Sequence, residues 1–297
     1  MAFQFPIPPG YQDYPIWNGN GFIVGSNHMS VLHYTRCEAG WNSELTNFHE
    51  KEADGGNHYI DRASRLHAIN EIKKYIKPDG VILEIGSSSG YLLRDIKEKF
   101  PDNYIIGSDC IPEPLEKIAK FRSDIPLIQM DLVNCPLPDN CVDIVIALNV
   151  LEHIEEDEKA LRQIYRILKP GGVAVIEVPA NQDLYDFYDE ELKHFRRYEL
   201  MDLLKMSENT NFFILKGSHL GFILYPFFFL IKKRNQGKGF RNNDQSMEML
   251  KKQILFGGKI IHPLISYLMK IEIIMSNYCI YPCGIRCIMI LQRRCDI

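Results

Sequence analysis

Three groups of residues in this chain have types and spacings suited to chemistry. The first is Glu84-Ile85-Gly86-Ser87-Ser88-Ser89-Gly90, which directly follows a short apolar run and precedes a helical pattern. Glycine at 86 and 90 lets the main chain turn sharply and lets a ligand approach the backbone. Asp109 closes the next apolar run, 19 residues after Gly90, with Cys110 beside it. A carboxylate there can accept both hydroxyls of a ribose and would repel a 2′-phosphate. The loop lacks the six-residue glycine spacing of dinucleotide sites, since position 93 is Leu93. Nothing later in the chain suggests a nicotinamide site. The competing reading of Gly86 and Gly90 is an ordinary strand-to-helix turn, and that of Asp109 a solvated strand end.

The second group is Lys193-His194-Phe195-Arg196-Arg197-Tyr198, joined by His153 in Leu151-Glu152-His153-Ile154. An imidazole flanked by two guanidiniums suits removal of a proton from a hydroxyl while the arginines hold an anion. A helix-capping cluster is the alternative. The third group is Cys279, Cys283 and Cys287, spaced 4 and 4, with Cys295 beyond. This spacing misses the C-x3-C-x2-C pattern of iron–sulfur radical enzymes by one residue. Same-parity spacing places all four on one face of an extended strand as small buried hydrophobes. Zinc is the competing reading, but no metal site is expected.

These residues need elements to position them, and the apolar patterning supplies them. Helical spacing over Tyr59 to Ile76 is followed by an apolar run at Val81–Ile85. A helix over Tyr91–Phe100, a strand at Tyr104–Gly107, a helix at Pro112–Phe121 and a strand at Leu127–Met130 come next. Val142–Leu148, a helix over Glu156–Leu168, the turn Lys169-Pro170-Gly171-Gly172 and the strand Val173–Val178 complete the series. Short apolar strands alternating with amphipathic helices predict βαβ units and a doubly wound, mostly parallel α/β sheet. Past Asn181 the pattern loosens, with a helix over Glu199–Glu208 and a strand at Phe212–Leu215.

In this setting the residues resemble the class I S-adenosylmethionine (SAM) dependent methyltransferases, closely over about residues 58–180. Gly86 to Gly90 looks like the family's glycine-rich loop, with Ser88 where a second glycine is usual, and Glu84 leads into it. The resemblance implies a Rossmann-like, seven-stranded sheet with N- and C-terminal elaborations, and SAM as cofactor. It implies that Asp109 holds the ribose, that Asp131 reads the adenine amino group, and that Leu132 contributes its backbone N–H. Asn149, after Ala147 and Leu148, falls beside the methionine portion. Leu137 to Asp143 and Leu168 to Gly172 are also similar to family segments. The counterpart of His153 in the family is usually structural. Methyl transfer mainly requires alignment of the acceptor, and a hydroxyl or ammonium acceptor also requires a base. His194 and His153 are the candidates.

Other segments resemble a bacterial subgroup that accompanies glycosyltransferases in surface-polysaccharide and glycolipid synthesis. They are Trp41 to Leu45 with His49, His58 to Arg65, the His194–Tyr198 cluster, Glu272 and Tyr281 to Gly284. These imply a small-molecule, sugar- or lipid-linked acceptor methylated at oxygen. Leu151–Ile154 resembles a segment of the quinone methyltransferases, which gives an acceptor methylated at carbon or oxygen as the alternative, and an inert SAM-binding scaffold is the non-enzyme alternative.

Charge divides the chain. Residues 1–204 carry 20 Lys/Arg against 33 Asp/Glu, whereas residues 205–297 carry 14 against 5. The expected divisions are an extension over 1–56, the SAM domain over 57–219, and an apolar, basic region over 220–297 that supplies a lid and the last strand. Uncharged runs at Gly217–Ile231 and Ile273–Ile285 are 15 and 13 residues long, short of the roughly 20 needed to span a membrane. Both suit either core or a membrane surface. A net charge of −4, with the basic residues interleaved among aliphatics, argues against nucleic acid as a partner. No export signal precedes the eight cysteines, so they read as reduced thiols in a cytoplasmic protein with the option of peripheral contact at the inner membrane face.

Overall fold

The computed structural model describes residues 3–35, 56, 58–235 and 258–295. Strands β1 (Ile16–Trp17), β2 (Phe22–Val24) and β3 (Asn27–Met29) form a small antiparallel sheet. The main sheet is built from β4 (Val31–His33), β5 (Val81–Ile85), β6 (Tyr104–Asp109), β7 (Leu127–Gln129), β8 (Val142–Leu148), β9 (Leu168–Pro179), β10 (Phe212–Leu220) and β11 (Arg286–Arg293). Its order is β10-β11-β9-β8-β5-β6-β7-β4. β11 runs antiparallel to both neighbours, and the remaining pairings are parallel. The helices are α1 (Tyr59–Ile72), α2 (Tyr91–Lys99), α3 (Pro112–Phe121), α4 (Asp157–Ile167), α5 (Phe187–Glu191), α6 (Leu200–Asn209), α7 (Tyr225–Asn235) and α8 (Gly258–Met275).

The apolar strands are buried on both faces, as a parallel sheet between helical layers requires. Ile82, Ile144, Ile146, Val175 and Ile290 point into one core. Their neighbours Leu83, Val145, Ala147, Ile176 and Met289 point into the other. After β5 the chain winds outward through β6 and β7, then returns to place β8 on the other side of β5. The loops leaving β5 and β8 therefore diverge, and the crevice between them is the place where such sheets bind ligands.

The sheet has eight strands rather than the expected seven. The additional one is β4, whose Val31, Leu32 and His33 pair in parallel with Leu127, Ile128 and Gln129. A three-residue strand is too short to show alternation in sequence. Lys169 to Gly172 is not a separate turn before the strand. It is taken up within β9 as an irregularity, with Val142 opposite Leu168 and Ile144 opposite Val173. The cysteine expectation also fails. Of the four, Cys287 alone lies on β11, buried, whereas Cys279 and Cys283 precede the strand and Cys295 is exposed beyond it. Pro282 and Gly284 interrupt the extended run that shared parity assumed. Trp41 to Leu45 and His49 lie outside the described residues.

Candidate cofactor and acceptor site

The loop after β5 is held in place by its own backbone. Gly86 N–H and Ser87 N–H both donate to the Ser108 carbonyl, at 2.8 and 2.9 Å. Gly86 has φ +78°, and a Cβ there would lie 2.7 Å from Val150 Cγ2, so the loop closes against the loop after β8 only because residue 86 lacks a side chain. Ser88 stands in the glycine-favouring region at φ 44°, and its N–H donates to Asp109 Oδ2 at 2.9 Å. Asp109 Oδ1 accepts from Ile111 N–H at 3.0 Å. Burial pushes the Asp109 carboxyl upward, and these backbone donors oppose the shift. Glu84 is fully buried and one of its oxygens, Oε2, has no hydrogen-bond partner. Burial raises its pKa well above the usual carboxylate range.

Asp131 stands at the next strand end. Its carboxylate closes its own loop, accepting from Val133 N–H at 2.9 Å and Asn134 Nδ2 at 2.7 Å. Each oxygen retains a second lone pair for a ligand donor. Asn149 directly follows β8, at φ 55°, and donates its N–H to the Glu177 carbonyl. A single cavity of about 460 Å³ is lined by Glu84, Gly86, Ser88, Asp109, Cys110, Asp131, Leu132 and Asn149, with His153 and His194 in the same wall. Gly90 is not part of the lining. It caps α2 in the left-handed conformation at φ 74°, where a Cβ would meet Ile118 at 2.9 Å.

The histidine end is built by two segments. The chain from Leu151 to His153 forms a 3-10 turn after β8, and Phe195 N–H donates to the Glu152 carbonyl at 2.8 Å. This bond docks the His194 segment onto that turn and brings the His153 and His194 rings edge to face, 4.7 Å between centroids. Beneath His194 lies Asp189, which is fully buried. It takes the His194 Nδ1 contact at 2.9 Å, Arg197 Nε at 2.8 and 2.9 Å, and Lys232 Nζ at 3.1 Å. Burial lowers the His194 pKa against the pull of Asp189; the carboxylate can only accept, so Nδ1 is the donor in this contact, which leaves Nε2 facing away from Asp189. The same partners hold the Asp189 carboxyl far below its usual range despite burial.

The two arginines do not serve as expected. Arg197 is committed to Asp189 and the Ala180 carbonyl, and Arg196 to Asp157 and the Glu155 carbonyl. Tyr198 donates to Asp157 Oδ2 at 2.8 Å. Their charges fix the His194 loop rather than reach for an acceptor. Lys232, which directly follows the uncharged run Gly217–Ile231 in the basic region, is 2% exposed and paired with Asp186 at 2.6 Å.

Sequence analysis assigned no individual cofactor or acceptor role to Leu224, Phe228, Ile231, Glu272 or Arg286. Leu224, Phe228 and Ile231 of the α7 region line the cavity, while Phe227 and Leu230 are exposed. Glu272, fully buried, accepts from the N–H groups of Gly221, Phe222 and Ile223 at 2.6, 3.0 and 3.0 Å, fixing the approach to α7. Arg286 at the start of β11 joins Glu177, Asp61 and Ser64, tying α1 to the floor of the site. Each is a long-range pairing, which periodicity does not report.

An open α/β sheet with a glycine-rich loop, a carboxylate at the next strand end and a crevice at the switch point defines a nucleoside-binding domain of the doubly wound class. The sequence matches the methyltransferase domain family over residues 83–176. It is 33% identical over 124 residues to the uncharacterized methyltransferase YdaC of Bacillus subtilis, covering 41% of this chain and 67% of that protein. It is 31% identical over 104 residues to demethylmenaquinone methyltransferase of Thermus thermophilus, covering 33% of this chain and 47% of that one. For several of the relatives it matches, the chain spans about half of their length. Its fold is similar to the crystal structure of YcgJ from Bacillus subtilis, with a TM-score of 0.52 at 16% identity over 79% of this chain and 99% of that one. The chain belongs to the SAM-dependent methyltransferase family. Its residues fit that cofactor: Gly86 and the Ser88 turn leave the backbone open to a ligand, and Asp109 and Asp131 stand at consecutive strand ends.

Proposed function

We propose that this protein transfers the methyl group of SAM to an oxygen atom of a small-molecule acceptor that carries a sugar- or lipid-linked portion. The observation that carries this reading is that the cofactor loop and the His153–His194 pair face one cavity, walled on the far side by apolar residues of α7. When bound, SAM supplies a methyl group already activated on a sulfonium. The protein then has to position the acceptor, exclude water and accommodate a proton. Gly86, Ser88, Asp109 and Asp131, with the Leu132 N–H and Asn149, hold the cofactor. Glu84 and Cys110 lie at its edge. His194, oriented by Asp189, presents Nε2 where an acceptor hydroxyl loses its proton, and His153 packs against it. Leu224, Phe228 and Ile231 form a lid for an apolar portion of the acceptor. The exposed Phe227 and Leu230, beside Lys233 and Arg234, give the outer face of that lid the character of a peripheral membrane contact. Among the described residues no helix is long and apolar enough to cross a membrane.

A quinone acceptor is the second reading, favoured by the likeness to demethylmenaquinone methyltransferase and by the same apolar wall. Incubation with methyl-tritiated SAM and a panel of glycolipid, saccharide and quinol acceptors distinguishes the two. Label in an alkali-stable ether of a glycolipid or saccharide supports the first. Label in quinol ring carbon or oxygen supports the second, and label in neither removes both.

A further inference from the structure

We infer that Glu152, His153 and His194 bind one divalent transition-metal ion at the acceptor end of the cavity. One donor atom from each of the three lies within 4.8 Å of the others. Ligands about 2.1 Å from a tetrahedral ion stand about 3.4 Å apart, so the three donors would draw closer around the ion. All three side chains line the cavity, and three protein ligands leave a position open toward it.

Glu152 is the group that points to a cation. It is 0% exposed and neither carboxylate oxygen has a hydrogen-bond partner. An ionised carboxylate buried in that way is costly: it either takes up a proton or is joined by a cation. The nearby cations are already committed: Arg197 to Asp189, Lys232 to Asp186 and Asp189, and Arg286 to Glu177 and Asp61. The imidazole beside it is prepared for ligation. Asp189 takes Nδ1 of His194 and leaves Nε2, the carboxylate–histidine arrangement that orients metal ligands and raises their basicity. Asp189 cannot drift, because Arg197 and Lys232 hold it from the other side.

The donor set selects the class of ion. Two imidazoles and one carboxylate suit Zn²⁺, Mn²⁺ or Fe²⁺, whereas Mg²⁺ prefers oxygen ligands alone. The role of such an ion rests on the methyltransferase reading. An acceptor hydroxyl bound at the open position has its pKa lowered and releases its proton to water. The oxygen lone pair then forms the bond to the methyl carbon, and the departing sulfur keeps the C–S pair. In this form His194 Nε2 serves as a ligand rather than as the base.

The test is calorimetric titration of the chelator-treated full chain with Mn²⁺, Zn²⁺ and Mg²⁺, in the presence of S-adenosylhomocysteine. One site per chain is expected for Mn²⁺ or Zn²⁺, with Mg²⁺ much weaker. Glu152→Gln should weaken it at least 100-fold, and Asp189→Asn by 10- to 100-fold. Absence of saturable binding overturns the inference, as does binding unaffected by Glu152→Gln. S-adenosylhomocysteine affinity, measured in the same preparations, separates this outcome from failure of the methyltransferase reading. If Glu152→Gln does not fold, electron paramagnetic resonance of Mn²⁺ on the unaltered chain decides: nitrogen coupling from histidine is expected, and its absence overturns the site.

Discussion

Ser88 donates its backbone N–H to the Asp109 carboxylate across 2.9 Å, so the loop after β5 is fastened to the residue proposed to receive the ribose. Ser88 holds its left-handed backbone at φ 44° because that bond, with Gly86 on one side and Gly90 on the other, determines the loop. Loop shape and the proposed ribose contact therefore depend on one carboxylate.

Gly86→Ala is expected to abolish cofactor binding without unfolding the protein. The added Cβ would lie 2.7 Å from Val150 Cγ2, and the backbone would keep an unfavourable φ of +78°. Val150→Ala in the same chain should relieve the contact but not the dihedral strain of roughly 1–3 kcal/mol, restoring affinity in part. Equilibrium binding of S-adenosylhomocysteine to the single and double variants checks this. Full affinity in Gly86→Ala would show that the loop closes differently.

His194→Ala is expected to lower turnover by about 10²–10⁴-fold, the span typical of a positioned proton-transfer group. S-adenosylhomocysteine affinity should stay within about twofold, because His194 belongs to the acceptor end. Steady-state kinetics beside binding separates the effects. Unchanged turnover would reduce the cluster to a scaffold.

Much of the parallel core was legible because its strands are buried on both faces. Val81–Ile85 and Val142–Leu148 are short runs that are apolar apart from Glu84 and Asp143, and their length between turns suits a buried strand. The glycine loop and Asp109 were legible because their spacing is local. What escaped was decided by contacts distant in the chain. Lys232 follows an uncharged run and reads as surface, yet Asp186 and Asp189, more than forty residues earlier, bury it. Arg196 and Arg197 look free beside His194 until Asp157 and Asp189 are seen to occupy them.

Lys232→Met is expected to destabilise the fold by about 3–5 kcal/mol, the usual cost of leaving one member of a buried ion pair alone. Urea unfolding measures it. A change under about 1 kcal/mol would mean that Asp186 and Asp189 manage without the lysine.

Glu71 gives a pH dependence with a definite sign. Burial alone would raise its pKa, but the nearby His67 ring at 3.4 Å and hydrogen bonds from Lys216 and Lys74 outweigh it and hold the carboxyl well below the usual range. A carboxylate with a depressed folded pKa stabilises the fold above its unfolded pKa, near 4.3, and that contribution fades as pH falls below it. Lys216→Met should therefore cost roughly 1.5–3 kcal/mol at pH 7 and progressively less below pH 4. Urea unfolding at pH 7 and pH 3 reads the two differences, and equal losses at both would contradict the assignment.

The most direct test of the account is SAM binding to the full chain and to Asp109→Ala, followed by titration calorimetry. One site per chain in the micromolar range is expected. Asp109→Ala should lower affinity about tenfold or more, because it removes a charge-assisted hydrogen bond worth roughly 1.5–3 kcal/mol and also the anchor of Ser88. No saturable binding to the full chain, or equal affinity in a folded Asp109→Ala variant, would contradict the placement of the cofactor between β5 and β8.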